Sequence, residues 1–138
     1  MRLRHPSFRI EVKNDLCIWT GSVTPVQARY RICVIWDFIR QTAPYVSLIE
    51  PEIAPPEEGR WEDIPHLWYD EETPQNSGLC LFDPDGKEWD RTMLIADYTI
   101  PWACEWIKYY ELWHLTGEWL GPSAKGPESV GAARRQAV

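Results

Sequence analysis

Phe8, Ile10 and Val12 alternate with Arg9, Glu11 and Lys13, the two-residue period of a strand with one wetted face. Asn14-Asp15 is turn chemistry, and Leu16, Ile18 and Thr20 open a second strand that Gly21 is expected to stop. Tyr30, Ile32, Val34 and Trp36 alternate with Arg29, Arg31, Cys33 and Ile35, predicting a third strand whose second face becomes partly apolar. Tyr45 to Ile49, after Pro44, makes a fourth. Short connections between like elements favour antiparallel neighbours, so residues 8–50 read as a meander.

The pattern then changes. Residues 50–77 show neither period and carry Pro51, Pro55, Pro56, Pro65 and Pro74. Such a long irregular segment is usually functional or disordered. Trp61, Leu67, Trp68 and Tyr69 argue that it is pinned. Leu79 to Phe82 is a short apolar run, closed by the turn signal Asp83-Pro84-Asp85-Gly86. Residues 91–100 fit a short helix or a strand. Pro101 suits the first turn of a helix, and 102–115 is the clearest helical stretch. Trp102, Trp106, Tyr109 and Trp113 form its aromatic stripe, expected to be a core face, and Gly117 is its stop. The fold class expected is α+β, with a four-stranded antiparallel meander and a C-terminal helix packed on it. Residues 1–121 make one domain, and 122–138 read as a flexible tail.

A chain of 138 residues can bury a core without staples. Its 44% hydrophobic and 13% aromatic content excludes a disordered chain. Nine tryptophans imply core or interface anchors. A net charge of −7 argues against direct nucleic-acid binding but allows a basic protein partner. No apolar run nears the ~18 residues of a membrane span, so no membrane association is expected. The four cysteines form no C-x-x-C pair, which speaks against a zinc ribbon or thioredoxin motif. With no signal core, a cytoplasmic protein with reduced thiols is expected. His66, Asp70 and Glu71 lack metal-ligand spacing, so neither metal nor cofactor is expected.

Cys80 sits in Leu79-Cys80-Leu81-Phe82, where a cysteine by itself reads as a small buried hydrophobe. Its context suggests more. Gly78 before it and the aspartate-rich turn after it suggest a short exposed edge and a partly exposed thiol. Pro65-His66 lies fourteen positions upstream, near enough to fold back beside it. His66 is either a loop histidine bonded to backbone or a donor that orders the site and stabilises an oxyanion. Asp83, Asp85 and Asp97 are candidate carboxylates, with solvated turn residues as the plainer reading. Cys17 and Cys33 are expected to be buried in strands and Cys104 to pack in the helix. His5 and His114 are expected to have no catalytic part.

The order Pro65-His66, Gly78-Leu79-Cys80-Leu81 and Trp89 resembles the active-site region of ubiquitin-conjugating enzymes. There a His-Pro-Asn turn precedes a Gly-x-x-Cys-Leu nucleophile, and a tryptophan follows. The meander resembles the sheet of that (UBC) fold, and Pro51 the proline after its fourth strand. The closing stretch is similar to a bacterial branch. It includes Ile100-Pro101-Trp102-Ala103, Tyr110-Glu111-Leu112-Trp113 and Thr116-Gly117-Glu118-Trp119. That branch is the stand-alone conjugating-enzyme-like proteins of CBASS, the cyclic-oligonucleotide-based antiphage signalling systems.

The resemblance implies that Cys80 forms a thioester-type link with the C-terminus of a partner, a cGAS/DncV-like nucleotidyltransferase, and raises its activity. His66 and Pro65 would shape the site; Asp83, Asp85, Asp97 and Trp89 would support it. There are departures. Ile64-Pro65-His66 lacks the first histidine and carries histidine for asparagine, which opens a base role for His66. Only seven residues precede Phe8, too few for the helix that docks an activating enzyme, and the C-terminal helices are shortened to one. A catalytically inactive binding module on the same fold is the alternative. A small-molecule-binding domain with an aromatic pocket is a third reading, which leaves the Pro-His, Cys, Trp order unexplained.

Overall fold

The structure, a computed structural model, describes residues 1, 3–82 and 89–121. The alternation in the first part forms four strands, β1 (Arg9–Lys13), β2 (Leu16–Val23), β3 (Tyr30–Asp37) and β4 (Tyr45–Glu50). They lie in the order β1-β2-β3-β4, every neighbour antiparallel. Register decides which half of each alternation is dry. Gly21 opposes Ile32, Trp19 opposes Val34, and Ile32 and Val34 oppose Leu48 and Val46. Directly opposed residues share a face. On that face Ile32, Val34, Val46 and Leu48 are buried.

Two strand expectations are corrected. Gly21 does not end β2, which runs on to Val23. A Cβ on Gly21 would lie 2.4 Å from the Phe8 ring, so glycine is what admits the buried Phe8 against the sheet. The alternation of β1 does not bury a face. Ile10 and Val12 are 52% and 61% exposed, because β1 is an edge strand and only Phe8, just before it, reaches the core.

The proline-rich segment is pinned, as its aromatics suggested, but mainly by other groups. Ile53, Ile64 and Leu67 are buried in the core. From the helix, Tyr110 donates to the Ala54 carbonyl at 2.8 Å and accepts from the Ala54 N–H at 3.0 Å. The segment opens with a cis Glu50-Pro51 bond. It holds two short 3₁₀ turns, Trp61–Asp63 and Pro74–Asn76, and a small hairpin of β5 (Leu67–Trp68) and β6 (Gly78–Leu79).

The ambiguity over 91–100 resolves as a wide π-type turn, Ile95–Thr99, that runs directly into α1 (Ile100–Thr116). Pro101 lies in the first turn of α1. Gly117 ends it with φ +80°, the left-handed conformation that glycine adopts without a Cβ clash, and its N–H donates to Trp113 O at 2.8 Å. The buried face is Ile100, Ala103, Trp106, Ile107, Tyr110 and Trp113. It is thus rotated from the aromatic stripe read off the sequence. Trp102 and Tyr109 sit at its margins, while Ala103 and Ile107 take the fully buried positions. The Asp83-Pro84-Asp85-Gly86 turn and the tail 122–138 lie outside the described residues.

Candidate active site around Cys80 and His66

The β5–β6 hairpin pairs Leu67 with Leu79 and Trp68 with Gly78. Continued by one step, that register sets His66 opposite Cys80, and the Cys80 N–H donates to the His66 carbonyl at 3.0 Å. The connection between the strands is tied at several points. The Ser77 hydroxyl accepts from the Asp70 N–H at 2.9 Å, with Ser77 wholly buried. The Asp70 carboxylate accepts from the Thr73 N–H, the Thr73 hydroxyl and the Glu72 N–H, each at 3.0 Å. These bonds, those from Thr73 first, hold its carboxyl below the ordinary carboxylate range. Beside the hairpin, the Tyr45 hydroxyl donates to the Asn76 carbonyl at 2.6 Å.

His66 has φ +52°, in the left-handed region where histidine is among the more tolerant non-glycine residues. The turn aims its carbonyl at two donors, since Trp106 Nε1 of α1 also donates to it at 2.9 Å. The imidazole is half-buried and lies against Trp119, with ring centroids 5.0 Å apart. Trp119 in turn packs on Trp106 and Tyr109. The helix and the residues just beyond it therefore set both the backbone and the ring of His66. Sequence reasoning missed Trp106 and Trp119 as parts of the site. Their signal was weak: one indole lies within a helical stripe and the other just past the helix stop.

Cys80 departs from expectation. Only 4% of it is exposed, and its thiol donates to the Phe82 carbonyl at 3.6 Å. Cys17, Cys33 and Cys104 are all more exposed, although Cys17 and Cys33 were expected to be buried. The reason lies in packing. Cys80 directly follows Leu79, a core residue, and is drawn in by the bond to His66. Cys33 opposes Thr20 and Ser47, on the sheet face away from the core. Cys104 packs against the core, as the helix pattern implied. Burial pushes the Cys33 and Cys104 thiols up from their ordinary value, which lowers their thiolate fraction at neutral pH.

The structure thus brings Pro65, His66 and Cys80 together and leaves two other candidates apart from them. Asp97 lies in the π-type turn, its Oδ1 3.1 Å from Arg4 Nε. Asp97 and Trp89 line one cavity with Trp19 and Trp36, and neither Cys80 nor His66 lines it. Asp83 and Asp85 lie outside the described residues. His5 and His114 bond the carbonyls of Ala96 and Ala54, each at 2.9 Å, which are backbone-fixing contacts. Among the described residues no cluster of His, Cys, Asp and Glu could hold a metal ion, and no helix is long and apolar enough to cross a membrane.

A four-stranded antiparallel meander, a long irregular segment leading to a cysteine, and a C-terminal helix on the sheet together define a UBC-like α+β fold. Residues 1–127 match the family described as type II CBASS E2 protein. The chain belongs to that family, and with it to CBASS antiphage signalling. A search among curated proteins found no match.

Proposed function

We propose that the protein is a cysteine-dependent conjugating-like acyl carrier. Cys80 takes the C-terminal acyl group of a protein partner, a cGAS/DncV-like nucleotidyltransferase, and the link raises the partner's activity in the cytoplasm. The observation that carries this reading is the 3.0 Å bond from the Cys80 N–H to the His66 carbonyl, which ties the one cysteine in the family-like motif to the one histidine in it. The thiol first gives up its bond to Phe82 O and passes its proton to solvent water. The thiolate then adds to the carbonyl of an activated C-terminus, the activating group departs, and a C–S bond replaces the bond to it. An imidazole N–H of His66 stabilises the oxyanion formed on addition and again on discharge. Trp119 and Trp106 hold His66 for that role. With 4% exposure, Cys80 reacts only when partner binding opens the site.

The test is intact mass spectrometry of the protein co-expressed with the partner. Wild type carries an adduct that thiol reductant or hydroxylamine cleaves. Cys80→Ala carries none, and Cys80→Ser carries a reductant-stable oxyester. His66→Gly, which tolerates the left-handed backbone and removes the imidazole donor, slows formation or discharge by about 10²–10³ if one oxyanion donor is lost. The burial of Cys80 favours a second reading, a binding module that regulates its partner without catalysis. In that case no form carries an adduct, and Cys80→Ala binds the partner and supports phage defence as well as wild type.

A further inference from the structure

The core-facing side of the sheet carries two partly buried tryptophans, Trp19 opposite Val34 and Trp36 opposite Cys17. With Trp89, Met93 and Ile95 they line a cavity of about 540 Å³. That volume falls in the range of small-molecule sites, about 300–1,000 Å³. Its lining is mainly apolar, with Arg4, Arg91 and Asp97 as its charged side chains. The indole N–H groups of Trp36 and Trp89 are buried and have no acceptor among the described residues. An indole N–H can only donate, and buried donors are nearly always paired. The charges point the same way. Arg4 is matched by Asp97, whereas Arg91 reaches only the Gln41 side-chain oxygen at 3.4 Å and has no ion pair among the described residues. Asp97 Oδ1 is buried there too and is neutralised by Arg4, so the two indole donors and the Arg91 guanidinium leave a net positive lining that suits an anion with a flat or branched apolar body.

We propose that this cavity binds a small aromatic or branched-chain carboxylic acid, whose oxygens accept from the Trp36 and Trp89 indoles and whose charge faces Arg91. The apolar body lies among Trp19, Met93 and Ile95. The site is separate from Cys80 and does not depend on thioester chemistry there.

The experiment uses the full chain with ¹⁵N-labelled indoles, 3-phenylpropionate as the probe and 3-phenylpropan-1-ol as its neutral counterpart. The nine tryptophans give nine indole N–H signals, two of them assigned with Trp36→Phe and Trp89→Phe. The acid should move those two signals downfield and saturate at sub-millimolar concentration, and the alcohol should bind about tenfold more weakly. Each Phe variant should lose about tenfold in affinity for the acid. The exposed Arg91→Gln, which removes no core contact, should also weaken the acid and leave the alcohol unchanged, even if a Phe variant fails to fold. Cys80→Ala should bind the acid as wild type does. Unmoved Trp36 and Trp89 signals at 10 mM acid, on the order of a hundred times the expected midpoint, would overturn the proposal. So would equal binding of acid and alcohol, or an Arg91→Gln variant of unchanged affinity.

Discussion

Gly78 stands two residues before Cys80, and its replacement by alanine probes how the hairpin is seated. A Cβ there would lie 2.5 Å from Tyr45 Cε2 and 2.7 Å from Cζ, inside any tolerable contact. Its φ is not in the left-handed region, so the cost is steric rather than conformational. Tyr45 is 37% exposed and the clash is at the far end of its side chain, so the ring can swing out. Doing so breaks its 2.6 Å bond to Asn76 O, worth about 1 kcal/mol, and gives up part of the ring's packing. The total should be about 1–2 kcal/mol. At about 2–4 °C per kcal/mol for domains somewhat larger than this one, the midpoint should fall by about 2–8 °C. Urea unfolding of wild type, Gly78→Ala, Tyr45→Ala and the double variant closes a cycle. Gly78→Ala should cost less than about 0.5 kcal/mol once Tyr45 is gone, since neighbours in contact are non-additive. An equal cost in both backgrounds would refute the seating of the hairpin on Tyr45.

Three further outcomes follow from the same geometry. His66→Gly should be more stable than His66→Ala by about 1 kcal/mol, because φ +52° strains any Cβ but not glycine; the reverse order in urea unfolding would contradict the left-handed turn. In the isolated native protein, alkylation mapped by mass spectrometry should reach Cys80 last, since Cys17, Cys33 and Cys104 all present more surface; early labelling of Cys80 would contradict its burial. The Tyr30 hydroxyl is pushed well up, first by burial and then by its 2.7 Å bond to Glu111, and burial also raises Tyr110. The folded state therefore holds these protons more tightly than the unfolded chain, so their contribution is complete below about pH 10 and is lost as pH rises above it. Denaturation midpoints between about pH 8 and pH 11 should fall, less steeply in Tyr30→Phe, and an identical slope in that variant would be the contrary result.

Local periodicity determined much of this protein. The two-residue alternation over residues 8–50 specified four antiparallel strands, because a pleated chain presents alternate side chains to alternate faces whatever it packs against. Pro101 and Gly117 marked the helix ends through φ restrictions that belong to single residues. The ordered motif of Pro65-His66, Cys80 and Trp89 was likewise legible as a family signature, and the family match agrees with it. What lay beyond reach depended on partners distant in sequence. The exposure of Ile10 and Val12 follows from β1 being an edge strand. The rotation of the helix's buried face follows from which residues meet the core. Only the pairing of Leu67 with Leu79 turns a fourteen-residue spacing into a hydrogen bond, and only packing of that hairpin on the core buries Cys80. Trp119 meets His66, and Asp97 meets Arg4, across separations that no repeat in the chain encodes. A side chain's period is set by its own backbone, whereas its neighbours and its access to water are set by how the elements pack.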